Sequence, residues 1–237
     1  MSALLKSFSS FLGSSIGKKL LVALTGAVLV LFVLGHMIGN LLIFVGPDAI
    51  NEYGHFLQTM LHGAGVWIAR GGLLVCAAVH VVLTIQLTRE NRAARTRRYG
   101  YRATLQASKS SRIMILSGLT LLAFIIYHLL HFTVHARNTF GSKAYDIPLH
   151  GGETVHNVYK MVIDGFSWLP ASIFYIIAMI LLCSHLSHGV SSMFQTLGLA
   201  TERTRPLFEK LGNAYAAIIL IGNCSIPIAI YAFGYGR

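Results

Sequence analysis

Four histidines lie deep within long apolar segments of this chain: His36, His80, His128 and His188. An imidazole in hydrocarbon is costly, and an ionisable residue inside a membrane segment is a candidate for a functional site. Neutral imidazole is also a common metal ligand, because one of its ring nitrogens carries a free lone pair. Four such residues on four different segments indicate two ligand pairs, and two histidine pairs inside a helix bundle are suited to holding two haems.

The composition predicts the elements that position these residues. Of the 237 residues, 54% are apolar and only 11% are charged, which is typical of membrane proteins and not of soluble domains. Five runs are long enough to cross a hydrocarbon layer of about 30 Å as helices. We predict spans at about 20–45, 65–88, 113–136, 168–195 and 212–234. The expected fold is therefore all-α: a single membrane domain over residues 1–237, built as a bundle of five transmembrane helices.

The segments outside the spans carry the polar residues. An N-terminal arm, residues 1–19, is expected to form a short interfacial helix. Two longer segments, 46–64 and 137–167, read as loops and hold most of the glycine, asparagine, aspartate and proline. None of the eight acidic residues falls within a predicted span, which argues against a carboxylate-based ion pump or transporter. Cys76, Cys183 and Cys224 fall within predicted spans without paired spacing, so we expect small core residues and no disulfide.

The basic residues predict the orientation of the bundle. Most of the 19 lysines and arginines fall in residues 1–19, 89–112 and 196–211, which all lie on one side of the predicted spans. The remaining five are Arg70, Arg137, Lys143, Lys160 and Arg237. Because cytoplasmic loops carry the excess of basic residues, this pattern predicts a cytoplasmic N-terminus and an external C-terminus.

The first and third spans carry histidines at the same depth. A helix rises about 1.5 Å per residue, so depth can be counted along the sequence. His36 lies 17 residues beyond Lys19, and His128 lies 16 residues beyond Arg112. Both imidazoles are therefore expected roughly 25 Å from the inner boundary, in the outer half of the bundle.

The second and fourth spans carry histidines at a different, common depth. His80 lies nine residues before Arg89, and His188 lies ten residues before Gly198, the expected end of its helix. Both are expected roughly 15 Å from the inner boundary, about 10 Å below the outer level. Each level then receives one histidine from each of two helices, as bis-imidazole ligation of haem requires. Such an iron has no open position, so it transfers electrons and does not bind oxygen.

Two further histidines leave the choice of ligands open. His131 and His185 each lie three residues from a candidate ligand and near the same helix face. Depth alone excludes neither of them.

The first and third spans share a weak sequence repeat, called the sequence echo below. Thr25-Gly26 precedes His36, and Ser117-Gly118 precedes His128, each glycine by ten residues. Ten residues correspond to about 15 Å, so both glycines are expected near the inner histidine level, where they could clear space for a porphyrin.

Several segments together resemble the cytochrome b membrane subunit of succinate dehydrogenase and fumarate reductase, in particular the single-chain, five-helix, dihaem type that works with menaquinone. The resemblance covers nearly the whole length and depends on the order and spacing of the motifs. The matching segments are Ser14-Ser15-Ile16-Gly17-Lys18-Lys19, Ala23-Leu24-Thr25-Gly26, His36-Met37-Ile38-Gly39-Asn40, Asn51-x-Tyr53 with Phe56-Leu57, Tyr127-His128-Leu129-Leu130-His131-Phe132, and His188-Gly189 with Gly198.

The resemblance implies specific ligands and partners. It pairs His36 with His128 at an outer, distal haem b and His80 with His188 at an inner, proximal haem b, and so favours His128 over His131 and His188 over His185. It implies a flavoprotein subunit that interconverts succinate and fumarate, and an iron-sulfur subunit that relays electrons to the inner haem. It also implies a bacterial cytoplasmic membrane. Lipid-facing helices without a polar stripe permit a dimer of complexes.

The resemblance places the quinone near the outer haem, where the second span begins. Four residues there could bond a quinone carbonyl or pass protons: Glu52, His55, Gln58 and His62. Some members of the family carry an acid just before the fourth-span ligand, whereas this chain has Ser184, His185 and Ser187 there. Two alternatives are a dihaem anchor of a hydrogenase or formate dehydrogenase, and a haem-free transport or structural membrane protein.

Overall fold

The computed structural model describes residues 10–94, 113–149 and 152–237. Within these ranges it contains a helical stretch at 10–13, seven longer helices and one short hairpin. The helices are α1 (Ser15–Leu41), α2 (Pro47–Thr59), α3 (Ala64–Ala93), α4 (Met114–Phe132), α5 (Val158–Ser167), α6 (Leu169–Thr196) and α7 (Arg205–Phe233). The hairpin strands are β1 (Asp146–Pro148) and β2 (Thr154–His156), and short 3-10 turns occupy Leu42–Phe44 and Lys143–Tyr145.

Five of these helices, α1, α3, α4, α6 and α7, are long and apolar enough to cross a membrane, which confirms the predicted number of spans. The helices do not stop where hydropathy falls. α1 begins at Ser15 because the Ser14 side chain caps it by accepting a hydrogen bond from the Gly17 amide, at 3.1 Å. α3 and α7 extend into polar sequence, so Glu90 and Glu209 lie within helix ends and not in loops.

The two segments predicted as loops contain secondary structure of their own. α2 starts with Pro47 at its first position and is preceded by Gly46, whose φ of 143° few other residues adopt. α5 is capped by the Asn157 side chain, which accepts from the Lys160 amide at 2.9 Å. Between them, β1 pairs antiparallel with β2.

The two ends of the bundle differ in composition. The basic end comprises the start of α1, the end of α3, the starts of α4 and α7 and the end of α6. There, Lys18 of α1 forms an ion pair with Glu90 of α3. The opposite end, called the hairpin end below, carries α2, α5 and the β-hairpin. The basic segment 95–112 and the first half of the interfacial arm lie outside the described residues.

The buried core is unevenly distributed. One cluster lies where α1, α6 and α7 meet, with Met37, Leu186 and Ile219 among its buried residues. A second, larger cluster at the hairpin end adds α5 and includes Phe166, Tyr175 and Ile230. Cys224 is buried in that cluster, and all three cysteines are free.

In contrast, α3 buries none of its apolar window within the chain. Trp67, Leu74 and Val75 on its surface are all more than half exposed. An apolar helix with so little protein around it is stable where lipid or another apolar partner covers it. The fold is therefore an all-α bundle with five candidate membrane-spanning helices.

Candidate haem site

The outer-level histidines of α1 and α4 lie side by side. The ring centroids of His36 and His128 are 5.7 Å apart, and the ring planes are inclined by 84°. Two imidazoles that share one metal ion have centroids roughly 6 Å apart, given metal–nitrogen bonds of about 2 Å and about 1 Å from each nitrogen to its ring centre. The observed separation fits two axial ligands of one iron.

His36 is the more open of the two residues. Its ring stacks on Phe32, at 5.3 Å between centroids, and the side chain remains exposed at the surface of the bundle. No hydrogen bond to His36 occurs among the described residues. A polar ring that faces hydrocarbon without a partner is costly, so this imidazole is suited to donate its lone pair to a metal.

Tyr175 of α6 holds His128 in place. Its hydroxyl group lies 3.2 Å from Nδ1 of His128 and 3.2 Å from Nδ1 of His131. A hydroxyl has one proton, so it donates to one ring and accepts from the other. If it accepts from Nδ1–H of His128, Nε2 of that ring carries the lone pair that a metal needs.

His131 belongs to a different environment. Its ring packs against Phe132 at 4.1 Å and Phe140 at 5.6 Å, in the aromatic cluster at the hairpin end. The structure therefore brings His128, and not His131, against His36.

At the inner level, two hydrogen bonds orient the His80 ring. Its Nδ1 lies 3.3 Å from the Thr25 hydroxyl and 3.2 Å from the Val22 carbonyl oxygen, both on α1. A carbonyl oxygen only accepts, so the proton is on Nδ1 and the lone pair is on Nε2. A ligating histidine is usually oriented in this way, through a hydrogen bond from its other ring nitrogen.

His185 of α6 has matching surroundings. Its Nδ1 lies 3.3 Å from the hydroxyl of Ser117 on α4, a residue that is only 2% exposed. His185 lies near enough to both His80 and His188 for their charges to interact.

His188 is held differently. Its Nε2 lies 3.0 Å from the Ser192 hydroxyl, one turn further along the same helix. In His188 the hydrogen bond therefore involves Nε2, whereas in His80 the hydrogen bonds involve Nδ1.

The two glycines of the sequence echo face the inner histidines. A Cβ atom added to Gly26 would lie 3.3 Å from Cε1 of His80, and one added to Gly118 would lie 3.4 Å from Cε1 of His185. Gly26 therefore lies at the level of the predicted inner ligand His80, whereas the neighbour of Gly118 is His185 and not the predicted ligand His188. Their immediate neighbours are imidazole rings, so the glycines first of all allow these rings to approach α1 and α4.

The donor set fits haem better than a bare metal ion. Within the described ranges, no group of three or more His, Cys, Asp or Glu side chains is placed to hold a metal. A haem iron requires only two protein ligands, because the porphyrin supplies the other four. His36 and His128 match that requirement, and at the inner level α3 offers one imidazole, His80, and α6 offers two, His185 and His188.

The four quinone candidates do not converge on the outer histidine pair. Glu52, Gln58 and His62 are exposed at the hairpin end. His55 forms an ion-pair contact with Glu153 next to β2, with Nε2 and Oε2 3.0 Å apart. The role of these residues stays a prediction.

The hairpin end contains a second group of ionisable side chains that sequence reasoning did not single out. The rings of His135 and His156 stack with centroids 5.6 Å apart. Burial, and next the charge of His135, lower the pKa of His156 below its ordinary value. The Tyr145 hydroxyl donates to Asp164 at 2.7 Å, and Asp164 also pairs with Lys160.

Sequence reasoning also missed the hydroxyl groups that orient the histidines. Tyr175 carried no recognisable signal, since its partners come from another helix. Thr25 and Ser117 were part of the sequence echo, but small residues at helix contacts explained them equally well.

Comparison with models of protein families, with curated proteins and with solved structures found no match to this chain.

Proposed function

We propose that this chain is a dihaem cytochrome b, the membrane-anchor and quinone-reactive subunit of a succinate:quinone oxidoreductase in a bacterial cytoplasmic membrane. It would pass electrons between an iron-sulfur subunit and menaquinone or a related quinone. The dicarboxylate chemistry would take place on a flavoprotein partner. The specific enzyme rests on the sequence resemblance.

One observation carries the haem part of the proposal. The rings of His36 on α1 and His128 on α4 are adjacent, and Nδ1 of His80, His128 and His185 lies beside a hydroxyl from a neighbouring helix. That arrangement fixes the ring orientation and leaves Nε2 for iron. His131 shares the Tyr175 hydroxyl with His128, so the haem part of the proposal depends on these hydrogen bonds together with the adjacency of His36 and His128.

Haem bound at each level would supply a one-electron carrier. The residues of this chain perform the remaining tasks. Phe32 stacks on the ring of His36, and Phe124 stacks on the ring of His128. Tyr175 and Thr25 hold the imidazoles, so that little reorganisation accompanies a change of charge at the metal.

The separation of the two levels supports a route across the bundle. Counted along the helices, the levels lie about 10 Å apart. The inner level lies toward the basic end, where lysine and arginine side chains offer a surface for an acidic soluble partner or anionic lipid. With the basic end in the cytoplasm, the inner level faces the iron-sulfur subunit, and the outer level faces the quinone.

The absorbance spectrum of the purified full-length chain tests the haem part of the proposal. We expect a reduced-minus-oxidised difference spectrum of b type and two haems per chain. His80→Ala should remove one of the two components. His55→Ala, which changes a histidine at the hairpin end, should keep both. A chain purified from haem-replete cells without any b-type band would exclude the proposal and favour a haem-free membrane protein.

A second measurement tests which enzyme the chain serves. The complex isolated from its native membrane should contain flavin and should reduce a quinone with succinate as the donor. Co-purification with a nickel- or molybdenum-containing subunit, without succinate activity, would identify the hydrogenase or formate dehydrogenase alternative instead.

A further inference from the structure

The two histidine levels are built by two matching helix pairs. In the pair α1 and α3, Thr25-Gly26 of the first helix contacts His80 of the second. In the pair α4 and α6, Ser117-Gly118 of the first helix contacts His185 of the second. Each pair therefore presents a hydroxyl to Nδ1 and a glycine to Cε1 of one inner histidine.

The outer histidines are also divided between the two helix pairs. Thr25-Gly26 and His36 on α1 correspond to Ser117-Gly118 and His128 on α4, with equal spacing. Each pair thus contributes one histidine to each level. By this correspondence, His185 is the counterpart of His80.

The hydroxyl groups also have defined proton positions. The Thr25 hydroxyl lies 2.7 Å from the Leu21 carbonyl oxygen and donates to it. The Ser117 hydroxyl lies 3.0 Å from the Met114 carbonyl oxygen and donates there. Since each hydroxyl proton is used in its own helix, each oxygen accepts from the Nδ1–H of the facing imidazole. Both imidazoles are thereby held in the tautomer with the lone pair on Nε2, and in His80 the Val22 carbonyl oxygen, 3.2 Å from Nδ1, supports the same tautomer.

We propose that Thr25 and Ser117 are paired positioning residues that fix the orientation and tautomer of His80 and His185, and that these two histidines, without His188, ligate the inner haem iron. This inference rests on the proposed function and deepens it. It departs from the ligand that the sequence resemblance implies on α6.

The contacts of His188 support this choice. Its Nε2 already lies beside the Ser192 hydroxyl of its own helix. Ligation through Nε2 would break this contact, whereas His185 has its hydrogen bond on Nδ1.

Removal of each histidine in the full-length chain tests the ligand assignment. His185→Ala should lower the haem content from two to one per chain, as His80→Ala does, and should remove the same spectroscopic component. His188→Ala should keep both haems and both low-spin electron paramagnetic resonance signals. If His188→Ala loses the inner component while His185→Ala keeps it, the assignment is overturned.

Milder variants test the positioning role, because they keep all histidines. Loss of a hydrogen-bonding partner behind a metal ligand typically lowers metal affinity or activity 10- to 100-fold. We expect Thr25→Val and Ser117→Ala to release the inner haem to an excess of apomyoglobin at least tenfold faster. The principal g-value of the inner component should also shift, and the outer component should stay unchanged.

Matched variants separate orientation from general destabilisation. Thr25→Ser keeps the hydroxyl and should restore the native signal. Thr120→Val removes a hydroxyl from the exposed face of α4 that bonds only its own helix, at the Leu116 carbonyl, and should have no effect. Ser192→Ala should likewise leave the inner signal unchanged. Unaltered haem release and g-values in both Thr25→Val and Ser117→Ala would overturn the positioning role.

The outcomes also distinguish this inference from the proposed function. A wild-type chain without haem refutes the proposed function. A wild-type chain with two haems, in which the inner component depends on His188 or ignores Thr25 and Ser117, refutes only the further inference.

Discussion

The substitution Gly26→Leu examines the packing of the inner site at its tightest point. A Cβ atom at position 26 would lie 3.3 Å from Cε1 of His80, slightly closer than ordinary van der Waals contact. A leucine places further carbons about 1.5 Å beyond Cβ, so a Cγ directed at the ring would approach it to about 2 Å. The His80 ring must then leave its position or the two helices must separate.

The size of the effect follows from the cost of overpacking. Insertion of extra carbons into a well-packed site costs about 1–3 kcal/mol. If all of that cost falls on haem binding, the affinity of the inner site drops roughly 5- to 150-fold, since about 1.4 kcal/mol corresponds to a factor of ten. Gly118→Leu should have an effect of similar size through His185, where the corresponding distance is 3.4 Å. Gly26→Ala should have a smaller effect, because a shift of a few tenths of an ångström accommodates its Cβ.

Haem titration of purified variants, followed by difference spectroscopy, measures this change. Ala214→Leu is the matched control, since it adds a leucine on the exposed face of α7 at about the same depth as the inner level. It should bind two haems with wild-type affinity. Gly26→Leu and Gly118→Leu chains that both retain two haems at wild-type affinity would refute the reasoning.

Three other predictions concern the hairpin end and the orientation of the bundle. Tyr175→Phe removes the hydroxyl beside His128, so it should shift the outer haem signal and leave the inner one unchanged. Electron paramagnetic resonance measures this shift, and a shift confined to the inner signal would contradict the prediction. Lys143→Cys should react with a membrane-impermeant maleimide in intact cells and Lys210→Cys only after lysis, and the reverse pattern would contradict the orientation. The folded chain binds a proton at His156 more weakly than the unfolded chain, so the hairpin should lose stability as the pH falls below about 6.5; hydrogen exchange of the hairpin amides measures this, and an equal loss in His156→Gln would assign it to another group.

The sequence predicts the five long helices because their apolar runs exceed the thickness of a hydrocarbon layer. It places their ends less well. α1 begins at Ser15 and α7 at Arg205, since helix ends continue into polar sequence that hydropathy does not count. The short helices α2 and α5 were predicted as loops, although Pro47 and Asn157 carry recognisable start signals.

The histidine levels could be counted from the sequence, but their partners could not. Depth puts His36 and His128 at one level because a helix has a fixed rise per residue. It does not separate His185 from His188, which differ by three residues on one helix face. The contacts that separate them, from Ser117 and Ser192, depend on how α4 and α6 pack and on which rotamers result.

The most direct test of this account is the haem content of the purified full-length chain, measured by pyridine haemochrome together with the reduced-minus-oxidised spectrum. The account predicts two b-type haems per chain, both low-spin and both without reaction with carbon monoxide, since each iron has two imidazole ligands. A chain that folds in haem-replete cells and contains no haem would contradict it.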